Sequence, residues 1–213
     1  MDNAWPSVFN YEATMSDATQ FERHIEQIRL KLVGIEPAPR EALANRNNAA
    51  AVLVPLFERE RELHLIFIRR SDEVASHRGQ VAFPGGRVDP VDNALVDTAL
   101  REAHEEVGLH PTLVEVIGAL PLMNTMASGI SVAPFVGVIP RDAKLEADRR
   151  EVAEIFDVPL SALRGPQFRG EYEWGADGRK SKFPAILYGG QTIWGLTLRI
   201  TMNLLDILDG KSL

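Results

Sequence analysis

Apolar residues recur along the chain in two periods, and the switch between them marks out its elements. Over Ala18–Val33, Phe21, Ile25, Ile28 and Leu32 return at helical spacing and Gly34 follows as a stop, which predicts a helix. Residues 1–17 carry no strong pattern. Ile35–Asn48, with two prolines and many polar side chains, reads as a connector. Ala49–Phe57 and Leu63–Ile68 are short apolar runs on either side of Glu58-Arg59-Glu60-Arg61-Glu62, which predicts a β-hairpin. Asn93–Val107 is helical: Val96, Ala99, Leu100, Ala103 and Val107 form one stripe, Asp92 or Asn93 can cap its start, and Gly108 stands at the stop. Leu113–Leu120 and Ile130–Ile139 have strand character, and Thr192–Leu208 carries Trp194, Leu198, Leu205 and Leu208 at helical spacing. There is no internal repeat. Strands mixed with a few helices indicate one α/β or α+β domain over residues 49–213, preceded by an extension, residues 1–48, of one helix and a linker.

Composition narrows the function classes. The 213 residues are 45% hydrophobic and 25% charged, enough for a sizeable core without staples. The absence of cysteine excludes disulfides and thiolate metal sites. No run approaches the roughly 18 apolar residues that span a bilayer, so no membrane association is expected. The start, MDNAWPSVFN, lacks a signal-peptide layout, and Lys211-Ser212-Leu213 is near the peroxisomal Ser-Lys-Leu address without being it. A cytoplasmic location is the expectation. A net charge of -7 argues against a broad nucleic-acid surface but not against a small phosphorylated ligand, which needs only local arginines or a divalent metal.

The informative chemistry lies in Phe83-Pro84-Gly85-Gly86 and in the helix end Arg101-Glu102-Ala103-His104-Glu105-Glu106-Val107-Gly108-Leu109. Glu102, Glu105 and Glu106 share neighbouring parts of one helical face. Like charges at this spacing cost a helix about 0.2–0.5 kcal/mol per pair, and they stand at the wrong end of the macrodipole. A hard divalent cation reverses that balance, because magnesium takes carboxylate oxygens and shares its other positions with water and substrate phosphates. Gly85-Gly86 lets backbone approach a metal or phosphate closely. Taken singly, each feature has an ordinary explanation: a solvated acidic face, a plain turn, an ion pair between Arg101 and Glu105.

Together these residues resemble the Nudix box: Gly, five residues, Glu, seven residues, then Arg-Glu-apolar-x-Glu-Glu-x-Gly-apolar. Arg101–Leu109 matches it throughout, with the small Ala103 at the apolar position. The first half departs, since Asp92 stands for the glutamate and eight residues separate it from Arg101, which leaves the part played by Asp92 open. The resemblance implies a Nudix α/β/α sandwich with a mixed sheet between helices, and hydrolysis of a diphosphate with Mg2+ or Mn2+. It implies Glu102 and Glu106 as the main metal ligands, Glu105 as a further ligand or a base, Arg101 as the group that orients the carboxylates, and the Gly86 carbonyl as a further ligand. Glu151 and Glu154 are candidate bases outside the box, or charges flanking a strand. Many relatives dimerise, so a homodimer is compatible with the resemblance.

The flanks resemble the coenzyme A pyrophosphatase branch: Ile66-Phe67-Ile68-Arg69-Arg70-Ser71, then Gly79-Gln80-Val81-Ala82-Phe83-Pro84-Gly85-Gly86, with further likeness through Leu208. The branch usually carries an arginine where this chain has Ala75, and a threonine where it has Ile68. Arg69, Arg70, Arg78 and Arg87 gather near the turn, and arginine grips phosphate with two hydrogen bonds; each can equally pair with a nearby acid. His77 and Gln80 join Arg69, Arg70 and Arg78 as candidate substrate-binding residues. Trp194 and Phe83 can line an adenine pocket or belong to the core. The substrate implied is coenzyme A or an acyl derivative, the alternatives being ADP-ribose, another nucleoside diphosphate derivative, or nucleotide binding without turnover.

Overall fold

The computed structural model describes residues 11–33, 35, 48–74, 76–125, 129–175 and 180–211, with residues 11–19 described by backbone alone. Helix α1 spans Tyr11–Leu32, starting ahead of the Ala18 that the spacing predicts. Its expected stop, Gly34, and most of the connector lie outside the described residues. Strands β1 (Ala49–Arg59) and β2 (Glu62–Arg70) form the expected hairpin, and Glu60 and Arg61 close it in the left-handed region with φ of 54° and 66°. Two short strands follow, β3 (Val81–Ala82) and β4 (Gly85–Arg87), then helix α2 (Leu95–Val107). Next come β5 (Glu115–Ala119), β6 (Met123–Asn124), β7 (Ser131–Val138), β8 (Val152–Pro159) and a short helix, α3 (Leu160–Arg164). The chain closes with β9 (Arg169–Trp174), β10 (Ser181–Tyr188), β11 (Gln191–Trp194) and helix α4 (Gly195–Leu208).

The central sheet runs β3-β2-β1-β7-β5, with β4 on β1, β6 on β7 and β8 on β2. It is mixed: β1 and β7 are parallel, from Ala49 opposite Ser131 to Leu56 opposite Val138, and the other pairings are antiparallel. Strand β2 shows why it is a middle layer. Leu65 and Phe67 join one core with Ile25, Leu32 and Leu204, while Ile66 and Ile68 join a second core with Ala99, Ala103 and Val107. A strand buried on both faces is apolar without alternation. Helix α2 covers one face, with Ala99 and Ala103 fully buried so that its backbone lies close to β1 and β4. Helices α1 and α4 cover the other. Leu32 lies so near Gly118 of β5 that a Cβ there would stand 2.6 Å from it. This is the expected α/β/α sandwich.

Three expectations need correction. Residues 192–208 are not one helix, because Gly195, at φ 61°, turns strand β11 into α4. The strand expected over Leu113–Leu120 begins as a 3-10 turn at Pro111–Leu113. Ala94, not Asp92 or Asn93, is the N-cap of α2, and the Asp97 carboxylate accepts from the Asn93 and Ala94 N–H groups at 3.0 and 2.9 Å. An element that the pattern did not predict is a second, antiparallel sheet, β11-β10-β9. Its inner residues Ile186 and Ile193 are fully buried with α4, and the Thr197 hydroxyl donates to the Val81 carbonyl at 2.9 Å. No helix among the described residues is long and apolar enough to cross a membrane.

Candidate active site

The glycine turn is shaped by close approach. A Cβ on Gly85 (φ 156°) would lie 2.4 Å from the Ala51 carbonyl oxygen, so only glycine lets β4 close onto β1. The Gly85 N–H donates to Glu106 at 2.9 Å. A Cβ on Gly86 would lie 2.5 Å from the Glu102 carboxylate. The turn therefore rests directly on two of the three acids.

Glu106 is 2% exposed and accepts from Gly85 N–H and from Arg70 Nη1, the latter at 3.3 Å. Burial pushes its pKa up to about 7; the Gly85 N–H and Arg70 oppose the rise, and the charges of Glu102 and Glu151 add to it. Burial also raises Glu102, against the hydrogen bond from Arg101, with Glu105 and Glu151 again repelling. Glu105 is exposed, held at 3.1 Å by Arg101 Nη1.

Arg101 is the most heavily bonded side chain of the group. It donates to Glu102 at 2.8 Å, to Glu105, to the Arg87 carbonyl at 3.1 Å, and through Nε and Nη2 to both oxygens of Asp92 at 3.0 and 3.1 Å. Asp92, 3% exposed, also accepts from Thr98 Oγ1 and the Asp89 N–H, each at 2.8 Å. Burial acts to raise its pKa, and the bonds from Arg101, Asp89 and Thr98 outweigh it, so the carboxylate stays ionised. The residue whose part the spacing left open is thus the anchor that fixes Arg101. Even with the longer loop, Asp92 sits ahead of the helix and reaches Arg101 across its first turns.

The flanking candidates divide. Arg70 reaches Glu106. Arg69 alternates to the opposite side of the sheet, where its Nε stands 3.4 Å from Glu154, which also accepts from Gln191 Nε2 at 2.8 Å. Glu151 is exposed beside the end of β2, its carbonyl accepting from the Ser71 N–H at 2.8 Å, and its charge acts on Glu102 and Glu106. His77 and Gln80 contact each other at 3.0 Å and Arg78 Nε donates to the Val74 carbonyl at 2.8 Å, so these three make local contacts in the 71–80 loop and none to the acids. Ile68 is fully buried, so the departure from threonine falls in the core; Ala75 lies outside the described residues. Phe83 is core, stacked on Phe67 with centroids 4.7 Å apart, whereas Trp194 joins an aromatic group on the second sheet. Sequence reasoning missed Gly85 as a donor and Gln191 altogether. Asp92 was detectable as an acid at the family's acidic position.

The pattern of the NUDIX domain matches residues 47–173, more than half of the chain. The chain belongs to the Nudix family. It is similar to the "Uncharacterized Nudix hydrolase NudL" of Enterobacter sp. (strain 638), 40% identical over 171 residues, covering 80% of this chain and 87% of that protein. The protein of the same name from Yersinia enterocolitica is 40% identical over 173 residues, covering 79% and 85%. Among solved structures, the Nudix hydrolase RenU of M. smegmatis shares the fold, with a TM-score of 0.53 at 15% identity over 78% of this chain and 88% of that one. This Nudix protein is accordingly a hydrolase of phosphorus-containing anhydrides.

Nudix hydrolases generally use divalent metal ions, and the residues here fit one. The donor set is all hard oxygen, Gly86 leaves room against Glu102 that any side chain would fill, and Glu106 carries a burial cost that a cation would offset. Among the described residues no three carboxylate or imidazole groups converge closely enough to enclose an ion. In this conformation guanidinium groups stand on the carboxylates instead, Arg101 on Glu102 and Glu105 and Arg70 on Glu106.

Proposed function

We propose that the enzyme hydrolyses the diphosphate of coenzyme A or acyl-coenzyme A, giving 3′,5′-ADP and (acyl-)4′-phosphopantetheine, with Mg2+ or Mn2+ held by Glu102, Glu105, Glu106 and the Gly86 carbonyl. One observation carries this reading. Of the residues through which the chain resembles the coenzyme A branch, Arg70, Gly85 and Gly86 lie on the carboxylates, with Arg70 Nη1 and the Gly85 N–H both bonded to Glu106 and Gly86 against Glu102. Arg70 Nε is buried and has no hydrogen-bond partner, the state of a donor waiting for a phosphate oxygen.

A bound cation would supply charge neutralisation on the diphosphate and make the leaving phosphate a better one. The chain's own residues do the rest. Arg70 turns its guanidinium to the diphosphate, and Arg101, pinned by Asp92, holds Glu102 and Glu105 in place. A water oxygen forms a bond to one phosphorus and the bond from that phosphorus to the bridging oxygen breaks. The bridging oxygen leaves with the electron pair on the other phosphate, and the water's proton passes to Glu151 or Glu105, the exposed acids beside the site. This chemistry lies within residues 49–213; α1 contributes core, through Ile25, Ile28 and Leu32.

The test is a panel of coenzyme A, acyl-coenzyme A, NADH, ADP-ribose and diadenosine polyphosphates with Mg2+ or Mn2+, read by chromatography and mass. Release of 3′,5′-ADP from coenzyme A well above turnover of the others is expected. Preferential cleavage of ADP-ribose would keep the carboxylate chemistry and overturn the branch.

A further inference from the structure

Four aromatic residues of the central sheet and glycine turn are closed off. Phe57, Phe67, Phe83 and Phe135 are each no more than 6% exposed, and Phe156 stacks on Phe67. None of those four can offer a ring face to a substrate. The second sheet differs. Tyr172 stands opposite Phe183, and Ala185 opposite Trp194; opposed residues share a face, and Trp174, two along from Tyr172, lies on it too. Trp194 is the hub, its ring centroid 4.5 Å from Tyr172, 5.8 Å from Phe183 and 6.0 Å from Trp174. The edge of the cluster is open, with Trp174 50% and Leu187 44% exposed. The fold is already served by the other face of this sheet, where Ile186 and Ile193 are fully buried. Leaving a tryptophan half in water adds little to stability and suits a surface that receives a ligand.

The second sheet also adjoins the strands that carry the site. Strand β11 lies beside β3, and Gln191, on the face of β11 opposite Trp194, bonds Glu154, which contacts Arg69, next in sequence to the Arg70 that touches Glu106. Just past Trp194, Thr197 bonds the Val81 carbonyl and so ties the hub to the Gly79-Gln80-Val81 segment. We propose that this aromatic face is the platform on which the planar base of the substrate stacks, with Trp194 as hub and Trp174 as open edge. Resting on the nucleotide reading above, it places the diphosphate on the carboxylate side of β2 and a flat, adenine-like heterocycle on the other side. Stacking asks for ring faces rather than directional donors, which matches a site with four aromatic rings.

The test compares α,β-methylene-ADP with methylenediphosphonate, a pair that differs by the nucleoside and resists hydrolysis. Each is titrated into the full-length protein with Mg2+ by calorimetry. Trp174→Ala, at an exposed edge strand, is expected to weaken the nucleotide about tenfold and leave the base-free diphosphonate within about twofold, with Trp174→Phe between. In the wild type the nucleotide should quench tryptophan emission and the diphosphonate should not. Equal changes for both ligands, or none for either, would overturn the platform. So would a dimer that becomes monomeric in Trp174→Ala with nucleotide affinity intact, since the patch would then be a contact between copies. Neither probe contains pantetheine, so the platform stands or falls separately from coenzyme A cleavage.

Discussion

The carboxylate turn on the central sheet and the aromatic face of the second sheet are built by different physics. On one side, Arg70, Gly85, Arg101 and Asp92 fix buried or half-buried charges through hydrogen bonds of 2.8–3.3 Å. On the other, Tyr172, Trp174, Phe183 and Trp194 meet at 4.5–6.0 Å between ring centroids, tilted and partly open. Hydrogen-bonded charge tolerates almost no displacement, whereas ring packing tolerates a good deal. Substitutions should therefore be costly and specific on the first side, mild and graded on the second.

The sharpest way to break that contrast is Glu106→Gln, expected to lower kcat by about 10²–10³. It should also remove a pH dependence. Glu106 has a folded pKa of about 7, above the ordinary 4.5, so the native state binds the extra proton. Its contribution is then most favourable below about pH 4.5 and is lost as pH rises to about 7, by on the order of 3 kcal/mol. Metal-free wild type should accordingly lose stability over that range and regain it with Mg2+ at pH 8, while Glu106→Gln shows a flatter profile. A wild-type melting temperature that is level from pH 5 to 8 without metal would count against the buried charge.

Asp92→Ala comes next. Removing the buried partner of Arg101 should cost roughly 3 kcal/mol, read as a lower denaturation midpoint, and should lower activity as Glu102 and Glu105 lose their fixed guanidinium.

Two glycines make the comparison directly. In Gly86→Ala the new Cβ meets the Glu102 carboxylate at 2.5 Å, and Mg2+ affinity by calorimetry should fall about 10–100-fold with the fold retained. In Gly170→Ala the new Cβ meets Leu187 Cδ1 at 2.6 Å, but that side chain is flexible and 44% exposed and can swing aside. The expected cost is under about 1 kcal/mol by chemical denaturation. Equal losses in the two variants would erase the distinction between the regions.

The difference also explains what could be read in advance. Glu102, Glu105, Glu106 and Arg101 were legible because they lie on one helix, where fixed spacing becomes fixed geometry. The hairpin at 58–62 and helix α2 were legible from periodicity, whereas the sandwich was implied by the resemblance to the Nudix family. Residues 192–194 were misread as helix because Trp194 falls in phase with Leu198, and only the left-handed Gly195 reveals the break. The contacts of His77, Arg78 and Gln80 were not legible in the sequence: the 71–80 loop bonds His77 to Gln80 and Arg78 to its own backbone.

By itself, then, the sequence determined the ingredients: three carboxylates on one helical face, a glycine turn, and short apolar strand runs. Those follow from local spacing, which acts over a few residues. Tertiary structure alone decided that Asp92 anchors Arg101, that Arg70 and Arg69 part to opposite sides of β2, and that rings from positions 172, 174, 183 and 194 gather on one face. The reason is physical. Strand register and the packing of one sheet against another bring distant residues together, and no local period records which strands will pair.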